Sequence, residues 1–290
     1  MTFMKSGSIV RSIFNTLKRV LIFLAFTLSI YYLTITYIFP AILKHYAHFP
    51  QIEGLPKTTF SETGTPSDPI NIALIGTKEE VSKALIKAGW RQADPINAFS
   101  DIRIAESVFL DSQYRAAPIS SLYLWGRPQD LGFERTVGGS ARRRHHVRLW
   151  KSKLVSKDQR PVWIGSATFD EGLELQLNLI PVTHKVAPDV DLERDTLILD
   201  LEKAGQLIQI YQVTGVGQTF SGRNADGDWY YTDGEITFGV ISPNNEVRRE
   251  KPKRLRNPIA VEIKNRIWEF MRPLIHKAGL FEKRAELKTP

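Results

Sequence analysis

The chain has no cysteine. That excludes a disulfide scaffold, a thiolate metal site and a cysteine nucleophile. It does not bear on compartment, because a domain of this size needs no disulfide staples. Other signatures are missing too. There is no G-x-G-x-x-G, no P-loop, and no H-E-x-x-H or H-x-x-x-H spacing. Ser166 stands in Gly-Ser-Ala-Thr rather than G-x-S-x-G, so a hydrolase nucleophile elbow is discounted. No stretch is biased enough for a disordered domain, and no internal repeat is visible. Acidic residues are absent from the first 39 positions, and charge of either sign is absent from 20–39.

What is present bounds the rest. The 290 residues include six Trp and fifteen Phe, with 42% hydrophobic content. That supports one large packed domain or two small ones. The net charge of +8 is unevenly placed. Lys5, Arg11, Lys18 and Arg19 precede the uncharged run, and a second basic excess lies in 248–288. The middle of the chain is mildly acidic by difference. A basic isoelectric point with no known nucleic-acid module and an acidic middle argues against nucleic acid as a partner.

The run Val20 to Phe39 is long enough, at 1.5 Å per residue, to cross about 30 Å of hydrocarbon. Tyr31, Tyr32 and Tyr37 suit an interface near its end. A cleaved signal peptide has a shorter core and a small-residue cleavage site, which this run lacks. The sequence therefore predicts a retained transmembrane helix at 20–39. Only Lys44 follows it closely, so the basic residues 1–19 are expected in the cytoplasm. The expected setting is a bacterial inner membrane, with the globular domain periplasmic and the lipid bilayer as a partner.

Residues 40–68, rich in Pro with Gly54 and Gly64, read as a linker. A globular domain is expected over 69–247 and a basic tail with an amphipathic helix over 248–290. Pro69 to Gly76 reads as a buried strand. Thr77 and Glu80 form a capping box for a helix presenting Val81, Leu85 and Ile86 on one face, closed by Gly89. A second helix is expected over 100–112. Strands are expected at 121–126, 131–134, 145–150, 162–169 and 207–213, and a hairpin around Asp233-Gly234. Pro188-Asp189 opens a helix over 190–204 that Gly205 closes. This order predicts an α+β fold with a mainly antiparallel sheet and packed helices. Asn257 and Pro258 open a last helix, with Ile259, Ile263, Ile267, Phe270, Met271 and Leu274 at helical spacing. It packs on the domain or lies on anionic lipid, helped by the basic loop 248–256.

The chemistry concentrates in four segments. They run Trp125-Gly126-Arg127-Pro128-Gln129-Asp130-Leu131-Gly132-Phe133-Glu134, Ser140-Ala141-Arg142-Arg143-Arg144-His145-His146-Val147-Arg148-Leu149-Trp150, Val162-Trp163-Ile164-Gly165-Ser166-Ala167-Thr168-Phe169-Asp170, and Thr183-His184-Lys185-Val186-Ala187-Pro188-Asp189-Val190-Asp191-Leu192-Glu193-Arg194-Asp195. In this order they resemble the LssY C-terminal domain family over roughly 69–215. The resemblance implies a bacterial membrane or envelope setting. It implies no established activity and supplies no catalytic residues.

His145 and His146 are adjacent in a strand, so they point to opposite faces. His146 then shares a face with Arg148 and Trp150, and His145 with Val147 and Leu149. One strand histidine, His184 and a carboxylate suit an open divalent site; His146, His184 and Asp191 are the candidate zinc ligands. The competing reading makes these histidines hydrogen-bonded structural residues, or places them beside a non-metal ligand site. Asp189 and Asp191 have a second account as helix-start carboxylates. Arg127, Asp130, Arg142, Arg144, His145 and Arg148 are the candidate ligand-binding set, because guanidinium forks match phosphate. The competing reading pairs those arginines with Asp130, Glu134 or Asp170.

Two functions follow. One is a membrane-anchored envelope module that binds an anionic ligand, a lipid head group or phosphoester, or a partner membrane protein. The other is a hydrolase of a phosphoester or lipid-linked substrate using His146, His184, Asp189 and Asp191, with or without metal.

Overall fold

In the computed structural model, residues 4–34, 54–93, 120–138, 140–175, 182–213, 217 and 220–278 are described. The chain forms two compact units, Met1–His48 and Phe49–Pro290. In the first, helix α1 (Met4–Leu33) carries exposed apolar side chains such as Phe23 and Phe26. Among the described residues, no helix is long and apolar enough to cross a membrane. Residues 35–39 of the expected span lie outside the described residues, as do the expected helix at 100–112 and residues 279–290 of the tail.

The second unit runs β1 (Thr58–Phe60), β2 (Pro66–Pro69), β3 (Ile72–Ile75), α2 (Lys78–Lys87), β4 (Arg91–Gln92), β5 (Tyr123–Leu124), β6 (Arg127–Pro128), β7 (Leu131–Val137) and β8 (Ser140–Val155). It continues with β9 (Pro161–Leu175), β10 (Val182–Val186), α3 (Val190–Lys203), β11 (Leu207–Val213), β12 (Phe220–Arg223), β13 (Trp229–Thr232), β14 (Ile236–Ile241), β15 (Lys253–Arg254) and α4 (Ile259–Ala278).

The main sheet has the order β15-β11-β14-β3-β9-β8-β7-β4, with β10 added along β9. β15 and β3 join it in parallel, on β11 and β14; the other pairings are antiparallel. The fold is α+β. The expected linker is partly wrong. β1 and the first three residues of β2 lie inside 40–68, and both strands join a small sheet β2-β1-β5-β6, because Leu124 of β5 and the adjoining Ile70 and Leu122 have an apolar face to bury.

The main sheet is covered on both faces. One face puts Ile72, Leu74, Phe133, Val147 and Leu149 against Leu85 of α2 and Leu197 and Leu201 of α3. The other puts Trp150, Ile164 and Phe238 against Leu122 and Leu124. Each fully buried aliphatic or aromatic side chain contributes about 1.5–3 kcal/mol. At Gly165 a Cβ would press on the Arg148 carbonyl, so glycine lets β8 and β9 pair closely.

Local signals govern the helix ends. The Thr77/Glu80 capping box is present, and Gly89 and Gly205 follow their helices at positive φ. On α2, Val81, Ala84 and Leu85 are buried while Ile86 is exposed. Ile86 is one residue past Leu85, about 100° around the helix, so it misses the stripe.

The expected hairpin at Asp233-Gly234 does not form. β13 pairs with β12, and β14 pairs with β11 and β3. The turn is made instead at Asp226-Gly227, where Asn224 and Asp228 close the β12–β13 loop. Asp233 is held elsewhere: its Oδ1 accepts from the Glu235 amide and from Arg194. The expected strand at 121–126 is a tight hairpin, β5–β6, turned by Trp125 and Gly126 at positive φ.

Candidate functional site

Strand β8 sorts the histidines as alternation requires. On one face stand Arg144, His146, Arg148 and Trp150, opposite Asp170, Thr168, Ser166 and Ile164 of β9. Arg144, His146, Arg148 and Asp170 among them are buried, and each has a partner. Arg144 donates to Glu134 at 2.9 Å, and Arg148 donates to Asp68 at 3.2 Å and to the Ser120 carbonyl at 3.0 Å. His146 Nε2 lies 2.8 Å from Asp170 Oδ2, and its Nδ1 has no hydrogen-bond partner among the described residues.

That geometry suits a neutral imidazole. Burial pushes the His146 pKa down to about 4, against the pull of Asp170 and with help from Arg144 and Arg148. Burial also pushes Asp68 up to about 6, despite Arg148. Buried ion pairs of this kind balance a large desolvation cost against their attraction, and breaking one is expensive.

His145 faces the other way. Its Nδ1 lies 2.7 Å from Glu193 Oε2, and its ring packs 4.7 Å from Phe169. Glu193 is 3% exposed, and burial raises its pKa. Both residues line a pocket of about 570 Å³ whose other walls include Phe169, Pro188, Asp189, Leu192, Tyr231 and Arg272.

The start of α3 is a polar junction. Asp189 caps the helix by accepting from the Leu192 amide, and it holds Arg272 of α4 through two 3.0 Å bonds. Asp191 is fully buried. It accepts from the Thr232 hydroxyl at 2.7 Å, the Asp233 amide at 2.7 Å and the Trp268 indole at 2.8 Å, with Arg194 at 3.4 Å. Burial raises its pKa to about 6, opposed by Arg194. With its acceptor positions filled, Asp191 works as a fastener rather than as an open ligand.

Through this junction α4 sits with its polar stripe inward. Lys264 pairs with Glu235, Trp268 with Asp191 and Arg272 with Asp189, at i, i+4 and i+8. Asn257, expected as a cap, instead donates its side-chain amide to Gln212. The expected apolar stripe faces away from the domain. Ile259, Ile263, Ile267, Phe270, Met271 and Leu274 are all exposed, Ile259 by 80% and Phe270 by 71%.

Of the candidate residues, the structure brings His145 and Asp189 to one pocket, and Arg144, His146 and Arg148 to a buried network on the opposite face. Arg127 and Asp130 pair with each other at 2.5 Å, on a half-exposed edge. Arg127, Arg144 and Arg148 are thus committed to Asp130, Glu134 and Asp68. The side chains of Arg142 and His184 lie outside the described residues; His184 is placed on β10 opposite Leu173. Among the described residues, no group of three or more His, Asp or Glu is placed to hold a metal, so the trio His146, His184 and Asp191 lies partly outside them. Sequence reasoning missed Glu193, Arg272 and Tyr231. Only the spacing of Lys264, Trp268 and Arg272 was a readable hint.

Comparison with known families decides the relationship. The family model described as LssY C-terminus matches residues 52–236. The chain belongs to the LssY C-terminal family. The match starts before the expected 69 and runs past 215, so β1, β2 and β13 are part of the LssY C-terminal domain. No curated protein and no solved structure matches the chain. α4 lies beyond the LssY C-terminal match, although it is fastened to it through Asp189 and Asp191.

Proposed function

We propose that the chain is a membrane-associated module that lays α4 on an anionic lipid surface. The observation that carries this reading is the inverted seating of α4. A helix packed for a water-facing surface buries its apolar stripe. Here Lys264, Trp268 and Arg272 bond to the domain, and six large apolar side chains point outward. Exposed apolar patches of this kind mark interaction sites. Each such side chain contributes about 1.5–3 kcal/mol when fully buried, so partial immersion of the stripe would amount to firm attachment.

Charge complementarity favours lipid over a protein partner. The segment feeding α4 exposes Arg248, Arg249, Lys251, Lys253 and Arg256. Arg254, Leu255 and Arg256 adjoin Arg266 of α4 along one cleft. Basic residues near an anionic leaflet add about 1 kcal/mol each. The uncharged run 20–39, with Lys5, Arg11, Lys18 and Arg19 before it, supports an anchor that leaves the domain periplasmic.

Because the chain has no cysteine, single labels are unambiguous. An environment-sensitive dye at Phe270→Cys should shift to the blue when the full chain is reconstituted in vesicles containing phosphatidylglycerol. A dye at Lys83→Cys on α2 should not. A water-like signal at position 270 in those vesicles overturns the reading. A shift that needs a co-purified protein instead of lipid does the same. A cytosolic readout from a reporter fused after Pro290 would overturn the orientation.

The hydrolytic alternative draws on one feature, the buried Glu193 carboxylate that orients His145 at 2.7 Å. Turnover of a p-nitrophenyl ester or phosphate that His145→Ala abolishes would favour it. No turnover by the wild-type chain would end it.

A further inference from the structure

The pocket beside His145 has a composition that the lipid-surface reading does not use. Its body is apolar, with Phe169, Pro188, Leu192 and Tyr231 among its walls. Its polar groups are mostly acidic: Glu171, Asp189, Glu193 and Glu269. Arg272, the one arginine among the described residues of the wall, is already held by both oxygens of Asp189 and lies 3.4 Å from Asp195. His145 is engaged by Glu193 Oε2. That leaves Glu193 Oε1, a buried carboxylate oxygen in the pocket wall with no hydrogen-bond partner among the described residues. A buried acceptor left without a donor costs about 1–3 kcal/mol, and more when it is charged.

From these features we infer that the pocket binds a small organic cation, an ammonium carried on an apolar body. The ammonium donates to Glu193 Oε1, while His145 holds the other oxygen in place. Aromatic faces favour cations, and Phe169 already demonstrates this: the Arg143 guanidinium sits 5.7 Å from its ring centre. Tyr231 supplies a second ring in the wall. Glu171 and Glu269, exposed on the rim, add attraction for a cation and repel an anion. An anionic ligand would have to displace Asp189 from Arg272 and face three further carboxylates. The site is thus distinct in chemistry from the anionic surface proposed for α4.

The test compares benzylammonium, benzyl alcohol and phenylacetate, which share a ring and differ in charge. Each is titrated calorimetrically into the full chain in a nonionic detergent, with detergent alone as the blank. Benzylammonium should bind saturably and phenylacetate should not bind. Glu193→Gln should weaken benzylammonium at least about tenfold, because a charged hydrogen-bond acceptor is lost. The exposed rim variant Glu269→Lys, which leaves the buried residues alone, should weaken it about threefold, the scale of one partly screened surface charge. Equal heats for the three compounds overturn the inference. So does benzylammonium binding that neither variant changes. Competition by monomeric lyso-phosphatidylethanolamine would support a head-group ammonium, and its absence a free amine.

Discussion

His145 and His146 are neighbours in one strand, yet they live in different chemistry. His146 is sealed between Asp170 and the two arginines Arg144 and Arg148 and is driven neutral. His145 stands at the edge of an open pocket, held by a carboxylate that has one oxygen to spare. The pleat alone separates them. The difference teaches that a pair of histidines in a sequence is not a site; the face decides. It also shows where this domain spends polar groups on stability and where it keeps them for a ligand.

The sharpest way to break the comparison is to remove the carboxylates one at a time. Asp170→Ala strips His146 of its partner and leaves two buried arginines with less compensation. Losing one member of a buried charged pair typically costs about 3–5 kcal/mol. The urea midpoint of unfolding should fall accordingly. A loss under about 1 kcal/mol would mean that the network face is not the structural one.

A titration sharpens the same point. The folded pKa of His146 lies near 4, below its ordinary 6.5. Its contribution to stability is therefore present above 6.5 and is lost as pH falls through 4. Asp68 and Asp191, raised to about 6, act in the opposite sense. Their contribution is present below the ordinary carboxylate value and is lost as pH rises through 6. His146→Gln removes the first effect and keeps the second. Relative to wild type, the variant should gain stability as pH drops from 7 to 4, by up to about 3 kcal/mol. A pH-independent difference between the two proteins would show that His146 is not a neutral buried group.

How much of this was legible in the sequence depends on distance along the chain. The Thr77/Glu80 capping box, the glycines after α2 and α3, and the alternation at 145 and 146 are local rules, and they hold. The Asp-Gly hairpin rule is local as well, but it met two Asp-Gly pairs. The turn fell at Asp226-Gly227 because Asp233 is held by Arg194, 39 residues away. The partners that define the site are all distant. Asp68 meets Arg148 across 80 residues and Glu193 meets His145 across 48. No period or spacing announces such pairs. The apolar stripe of α4 was readable; its outward direction was not, because the fasteners are Asp189, Asp191 and Glu235 in other elements.

The smallest expected effect on stability is the most telling for His145. Glu193→Gln removes a charge that burial already disfavours. The amide oxygen still accepts from His145 Nδ1, so the ring keeps its orientation. The desolvation relieved and the charge-assisted bond weakened are of similar size, and the net change should stay within about 1 kcal/mol. Benzylammonium binding should nonetheless weaken at least about tenfold. A residue whose conservative replacement spares the fold and removes the ligand serves the pocket. If Glu193→Gln instead unfolds the domain as Asp170→Ala does, both faces of the sheet are structural. The two histidines would then differ only in how deeply they are buried.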